Sequence, residues 1–377
     1  MSTATRRPSA AASVSNDRAS ALHLTELAVR NFRNLAALDV ELPPEGVVIL
    51  GENGHGKTNF LEAIYYLVLF RSVRAAKDRE LVRFGEAGFF LAGAGGRRVT
   101  VGYEVQGRRK KVTVDRGEVS KLSEAVGLVT AVVFSPADRA IVAGGPAGRR
   151  RYLDVLLSLS QPGYLPKLSA MRSALRQRNA ALKRGRADEA QAFDTPFAEA
   201  AARVGAERRS WAAAWAERYA ERCHALGEPG ETGLAYHPHH HRECDTPEEF
   251  SRELGRTLDR DLRRGMTTTG PHRDDLHLSL GGKDLRTYGS AGQQRTAAIA
   301  LRLLEAEAIE RARDAAPIAL YDDVFAELDA GRQARLLSLI QETFPGQAVV
   351  TAPRESEVPA AMLDRPRWSM NGGRLVS

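Results

Sequence analysis

Eight residues constrain this chain more than any others: Gly51-Glu52-Asn53-Gly54-His55-Gly56-Lys57-Thr58. They fit G-x-x-x-x-G-K-[ST] and sit in the context that pattern needs. Val47-Val48-Ile49-Leu50 before them reads as a short buried strand, and a helix opens at Lys57 and runs to about Phe70. Such a loop wraps a phosphate in backbone N–H groups, and the helix start adds orphan donors and a positive dipole end. Lys57 suits the β- and γ-phosphates of ATP, and Thr58 suits Mg2+. Glu52, Asn53 and His55 fill spacer positions, where the backbone matters more than the side chain. Residues 51–58 are therefore the candidate nucleotide-binding loop.

A second element supplies carboxylates. Pro317-Ile318-Ala319-Leu320-Tyr321-Asp322-Asp323 reads as a buried strand ending in two acids. Asp322 is assigned to the metal ion beside Thr58. Asp323 is assigned to the attacking water, as the candidate catalytic group. Lys57 and Asp322 lie 265 residues apart, so the fold must absorb a large insertion.

The remaining periodicity divides the chain. Residues 1–20 are small and polar and read as a disordered tail. Residues 21–147 read as the first half of an α/β unit. Two strands flank Asn31-Phe32-Arg33-Asn34, and a hairpin turns at Gln106-Gly107. Residues 148–265 read as a helical lobe, with helices over Arg151–Leu159, from Tyr164 to Leu182, over Ala198–Leu226, and from Thr246-Pro247-Glu248-Glu249. Breaks near Gly185, Asp194-Thr195-Pro196 and Gly227 leave no sustained heptads. Residues 266–377 alternate strand and helix again, with strands expected at Asp275–Leu280, Pro317–Tyr321 and Gln347–Thr351.

Between the two site elements lies Ser290-Ala291-Gly292-Gln293-Gln294-Arg295, opening the helix that leads to Asp322. Asp322 is followed by Val324-Phe325-Ala326-Glu327-Leu328-Asp329. A Ser-x-Gly-Gln helix start 32 residues before the acidic strand end looks like the ABC-type ATPase signature, and the later run looks like its D-loop. Further segments narrow the likeness: Phe134-Ser135-Pro136, Arg149-Arg150-Arg151-Tyr152-Leu153-Asp154 and Thr269-Gly270-Pro271-His272-Arg273-Asp274-Asp275. With Asn31–Asn34 and the phosphate loop, they make the chain resemble the RecF family of DNA repair proteins over roughly residues 22–352.

The resemblance implies an α/β fold, an ABC-type P-loop ATPase head split by a mostly helical second lobe. It implies ATP and Mg2+ as cofactors, an ATP-dependent homodimer, slow hydrolysis as a release switch, and binding to DNA. It implies action in the cytoplasm at the nucleoid, with RecO and RecR at single-strand gaps where RecA is loaded. On that pattern Ser290, Gly292 and Gln293 meet the γ-phosphate held by the partner's loop. The chain departs from related patterns at three points. Ala291 stands where the family usually has a basic residue. Asp323 stands where transporter ATPases have Glu, and one methylene less is consistent with slow turnover. Thr351 stands near the transporters' switch His.

Charge and composition limit the alternatives. The longest apolar run is eight residues, Ala63–Phe70, against about 20 needed to span a bilayer. A transporter ATPase would also need membrane partners, and only 48 residues follow Asp329, too few for the nuclease domain of the OLD type. A structural head with a dead nucleotide site conflicts with the intact Lys57, Thr58, Asp322 and Asp323. Two cysteines build no disulfide framework. His237, His239, His240, His241 and Cys244 fit no standard zinc spacing and read as a loop. The formal charge of +7 is matched by residues 71–111 alone, with eleven Lys/Arg against four Asp/Glu. We read that segment as a patch for duplex or junction phosphates, with nothing nearby to neutralise it and no aromatic platform for base stacking.

Overall fold

Short runs of β-branched and small apolar residues form a mostly parallel six-stranded sheet, which carries the phosphate loop. Its order is Arg374–Val376, Arg367–Asn371, Gly46–Leu50, Ala348–Ala352, Ile318–Asp322, Ala131–Phe134. The last five strands are parallel; the inner three and Ala131–Phe134 are buried almost throughout, as befits strands covered on both faces, whereas Arg367–Asn371 alternates buried and exposed. The computed structural model describes residues 23–239, 244–325, 330–343 and 346–376. The tail read over 1–20, His240, His241 and the run Ala326–Asp329 lie outside the described residues.

A second six-stranded sheet is antiparallel throughout, ordered Leu35–Glu41, Glu26–Phe32, Gly88–Gly95, Arg97–Glu104, Arg109–Val114, Gly117–Glu118. The helix Lys57–Leu69 packs against strands of both sheets. That explains a helix apolar nearly all round, including the fully buried Ile64, Tyr66 and Leu67.

The lobe contains the helices Pro146–Ser160, Tyr164–Lys183, Asp194–Ala225 and Pro247–Arg264. The third starts four residues before its expected start, because Pro196 falls in the first turn, where its missing N–H costs no helical bond. The expected cap at Thr246 is present: its Oγ accepts from the Glu249 N–H at 3.2 Å, and Glu249 accepts from the Thr246 N–H at 2.9 Å.

Several strands escaped the sequence reading, among them Gly88–Gly95, Ala131–Phe134, Arg367–Asn371, Arg374–Val376 and Thr232–His237. The last pairs antiparallel with Asp275–Leu280. The latter strand is therefore not part of the parallel sheet, and it ties the end of the lobe to the segment after it. His237 is a strand residue, not a loop residue, and its ring stacks on His277 at 4.8 Å.

Buried arginines stitch the lobe. Arg178, with no exposed surface, bonds Asp194 at 2.7 Å, Asp261 at 2.8 Å and the Thr267 hydroxyl at 2.8 Å. Arg208 bonds Asp154 at 2.6 Å and the Pro271 carbonyl at 2.8 Å. His272 meets Phe197 edge to face and faces the Thr267 carbonyl. Burial pushes its pKa down to about 4, so it is neutral. These partners make the Thr269–Asp275 motif part of the lobe's polar core.

Removing one partner of a buried pair strands the other charge. Arg178→Ala is expected to cost about 3–5 kcal/mol, measured by urea unfolding; a loss under about 1 kcal/mol would show that these bonds do not hold the lobe.

Candidate nucleotide site

The parallel strands deliver their C-terminal ends to one edge, where ligands bind in open α/β sheets. Register sets who meets whom: Asp322 lies beside Thr351, and Thr351 beside Ile49. The phosphate loop leaves at Leu50. Gly54 and Gly56 have φ of 85° and 113°, the left-handed region open mainly to glycine. A Cβ on Gly56 would also meet Asn34 Oδ1 at 2.8 Å. Asn34 accepts from Asn59 Nδ2 at 2.8 Å, so the Asn31–Asn34 turn buttresses the loop.

Lys57 is buried under the loop. Its Nζ donates to the carbonyls of Gly51 at 2.6 Å and Glu52 at 3.2 Å and to Asn53 Oδ1 at 3.3 Å. The Glu52 side chain is exposed and that of His55 partly so, in keeping with spacer positions. The Thr58 hydroxyl donates to Asp322 Oδ1 at 2.8 Å. Thr351 is a hub: its hydroxyl lies 3.2 Å from the Tyr321 carbonyl, 3.3 Å from Asp322 and 3.4 Å from Asp323, and it accepts from the Asp323 N–H at 3.3 Å.

The two carboxylates are under-neutralised. Burial pushes the Asp322 pKa up, against the bonds from Thr58 and Thr351 and the fields of Arg74 and Lys57. Asp323 is also pushed up, by burial and by Asp322, against the field of Lys57. Asp323 has φ of 49°, a strained conformation of a kind that collects at functional sites. Two adjacent half-buried acids beside a hydroxyl form a donor set that suits a divalent cation.

Sequence reasoning missed the group behind Thr58. Glu62 is wholly buried in the apolar helix, and burial alone would raise its pKa. Bonds from Arg33 at 3.0 Å, Arg74 at 2.7 Å and Ser72 at 2.5 Å overcome this and hold it low. A lone Glu in an otherwise apolar helix was the available signal. Arg74 also donates to Asn59 at 2.7 Å. A cavity of about 330 Å³ runs from Thr58, Glu62 and Asp322 towards Ser135, Tyr152 and Arg302.

Ser290 caps the helix Ala291–Arg313 in a reciprocal box with Gln293: N–H to Oε1 at 2.9 Å, and N–H to Oγ at 3.2 Å. Ser290 is exposed. Its bonds stay within its own helix start, and the structure does not bond Ser290, Gly292 or Gln293 to the phosphate loop of the same chain.

The sequence matches the family described as RecF/RecN/SMC N terminal domain over residues 23–365. It is 38% identical over 366 residues to the DNA replication and repair protein RecF of Anaeromyxobacter dehalogenans strain 2CP-C, covering 93% of this chain and 98% of that one. The chain belongs to the RecF family. RecF of Geobacter metallireducens is 38% identical over 336 residues, covering 85% and 90% of the two chains. The solved structure of the recombination mediator protein RecF with ATP in the RecFOR pathway has a TM-score of 0.86 at 30% identity, covering 96% of this chain and 99% of that one. An Smc head bound to the C-terminal winged-helix domain of ScpA, at TM-score 0.52 and 14% identity, shares the fold alone. The fold is thus an ABC-type ATPase head, as the RecF resemblance implied.

The basic segment differs from its sequence reading. Arg74 pairs with Glu62, Arg97 with Asp115, Arg98 with Glu26, Lys110 with Asp78 and Lys111 with Glu118. Much of the patch is neutralised across strands. The segment also carries exposed aromatic rings, at Phe84 and Phe90.

The buried acids destabilise the protein whenever both are charged. Their raised pKa values mean stability falls as pH rises from the unfolded-chain range through the folded pKa. Asp322→Asn keeps an oxygen to accept from Thr58 and removes one charge. It is expected to raise the Tm of the nucleotide-free protein at pH 7.5, by roughly 2–4 °C per kcal/mol relieved, with the gap closing as acidification neutralises the wild-type acids. Calorimetry showing a lower Tm for the variant would refute this electrostatic picture.

Proposed function

We propose that this RecF-family chain is an ATP-dependent DNA-binding protein of recombinational repair and replication restart. ATP closes two copies into a homodimer, and weak hydrolysis releases it. It acts in the cytoplasm, at the nucleoid, with RecO and RecR at single-strand gaps, where it promotes RecA loading. The observation that carries the reading is the assembly at one sheet edge of buried Lys57, the Thr58–Asp322 bond and Asp323, in a chain whose exposed Ser290 helix start is a separate anion site. The RecF relatives are named for DNA replication and repair, and one is solved with ATP.

The residues take roles from their chemistry. Loop N–H groups and Lys57 hold the β- and γ-phosphates. Thr58 and Asp322 are the ligands for Mg2+, which supplies charge neutralisation at those phosphates. Asp323, made more basic by burial, orients the water and accepts its proton. Ser290 and Gly292, with Gln293 locked behind them, meet the γ-phosphate from the second copy. Closure therefore depends on the triphosphate, and its loss opens the dimer.

Sedimentation velocity tests the central claim. Wild type is expected to shift from monomer to dimer with ATP, and Lys57→Met to stay monomeric. A monomer under every nucleotide condition would sink the dimer reading.

A further inference from the structure

Phe84 is the most exposed large apolar side chain of the described residues, at 104% relative exposure, and its turn is tied in place. The Arg83 N–H donates to the Asn31 carbonyl at 2.8 Å, the Glu86 N–H to the Arg83 carbonyl at 3.0 Å, and Asn31 Nδ2 to Glu86 at 3.0 Å. A fluctuating loop would hide a phenyl ring part of the time; this turn holds it out.

The neighbouring sheet face continues the pattern. Phe90, 39% exposed, lies between Arg30 and Gly102 in register, and Gly102 lies beside Lys111. Gly102 leaves the flank of the ring open, since a Cβ there would touch Phe90 at 4.0 Å. The face is hollowed into a groove of about 870 Å³, lined by Asn31, Ala87, Phe90, Gly102 and Arg109. Asn31 and Ala87 place the Phe84 turn on its rim.

The charges are complementary to phosphate. Lys77, Arg79 and Arg83 lead into the turn, and Arg108 and Arg109 follow at the hairpin tip. None of the five has a carboxylate partner among the described residues; against them stand Glu104 in the groove and Glu86 in the turn, the latter bonded to Asn31, while Glu118 is neutralised by Lys111 at 2.9 Å, so the balance stays cationic. Exposed rings with unpaired cations suit a strand whose base faces are open; a duplex hides those faces and offers only phosphates and groove edges.

We propose that this face is a stacking platform for unpaired nucleotides of DNA, with Phe84 and Phe90 against base faces and the flanking cations on the backbone. It rests on the DNA-binding reading above and adds that the contact is made to unstacked bases.

The test is fluorescence anisotropy with three probes: a single strand, an abasic strand of equal length and charge, and a duplex. Wild type is expected to prefer the base-bearing strand over the abasic one. Phe84→Ala with Phe90→Ala is expected to lose about tenfold on the base-bearing strand only. Phe84→Trp is expected to retain affinity, with indole quenching by the base-bearing strand alone, which keeps the test valid should the double variant misfold. Equal affinity of wild type for the abasic strand, an equal loss on all three probes by a folded variant, or no loss at all overturns the platform but leaves ATP-dependent DNA binding standing. Unchanged DNA affinity with a lost ATP-dependent dimer assigns the face to a second copy instead. No binding of wild type to any probe removes the DNA-binding reading and the platform with it.

Discussion

The bond from the Thr58 hydroxyl to Asp322 joins residues 264 positions apart, and the rest of the head is arranged so that it can form. The chain leaves the parallel sheet after Ala131–Phe134, builds the lobe, and returns through Ile318–Asp322, the strand directly beside the one it left. The Ile318 N–H donates to the Thr130 carbonyl at 2.9 Å, so departure and return are stapled together. Loop-closure entropy grows only with the logarithm of length. An excursion of this size is tolerated because its ends are already neighbours and the lobe's buried residues continue the core of the head.

Buried charge is handled in two opposite ways. In the lobe each buried arginine is met by carboxylates: Arg178 by Asp194 and Asp261, Arg208 by Asp154. Those networks fix helix packing. At the sheet edge Asp322 and Asp323 are pushed up by burial, with only Lys57 and Arg74 nearby to offset it. Full compensation marks a structural network; a deficit at a strand end, beside a phosphate loop, is what the proposed Mg2+ would offset. Glu62 shows the contrast within one helix: four residues past Thr58, two arginines and a serine satisfy it completely.

How much was legible follows the same physics. The places of Gly51–Thr58, Asp322 and Ser290 at a strand–helix loop, a strand end and a helix start were readable, because such positions call for particular residue types at fixed local spacing. Helices with caps were readable to within a few residues. The strand Ala131–Phe134 was not: four apolar residues look alike in a strand and in a helix end, and only pairing with Ile318–Asp322 decides. The basic segment was misread for a related reason. Asp115, Glu26 and Glu118 reach their partners through strand register, and Asp78 reaches Lys110 from the short helix Asp78–Leu81; spacing along the chain discloses neither. Register also turns Phe90 outward while Phe89 and Leu91 turn inward.

The Ser290 helix start has the chemistry that the proposed dimer would require of it. A helix leaves its first N–H groups without intrahelical partners. The Gln293 N–H is already taken by Ser290, which leaves those of Ala291 and Gly292 to meet an anion. Gly292 places no side chain there. The side left open is taken by the Arg332 guanidinium, which lies 2.7 Å from where a Cβ would be. The arrangement is exposed and complete in itself, whereas the Lys57 loop is complete in a different part of the same chain. In the dimer proposed above, the two half-sites of each copy would be filled together, with triphosphate between facing copies. Any free energy of binding at the shared phosphate then appears as dimer stability, by mass action.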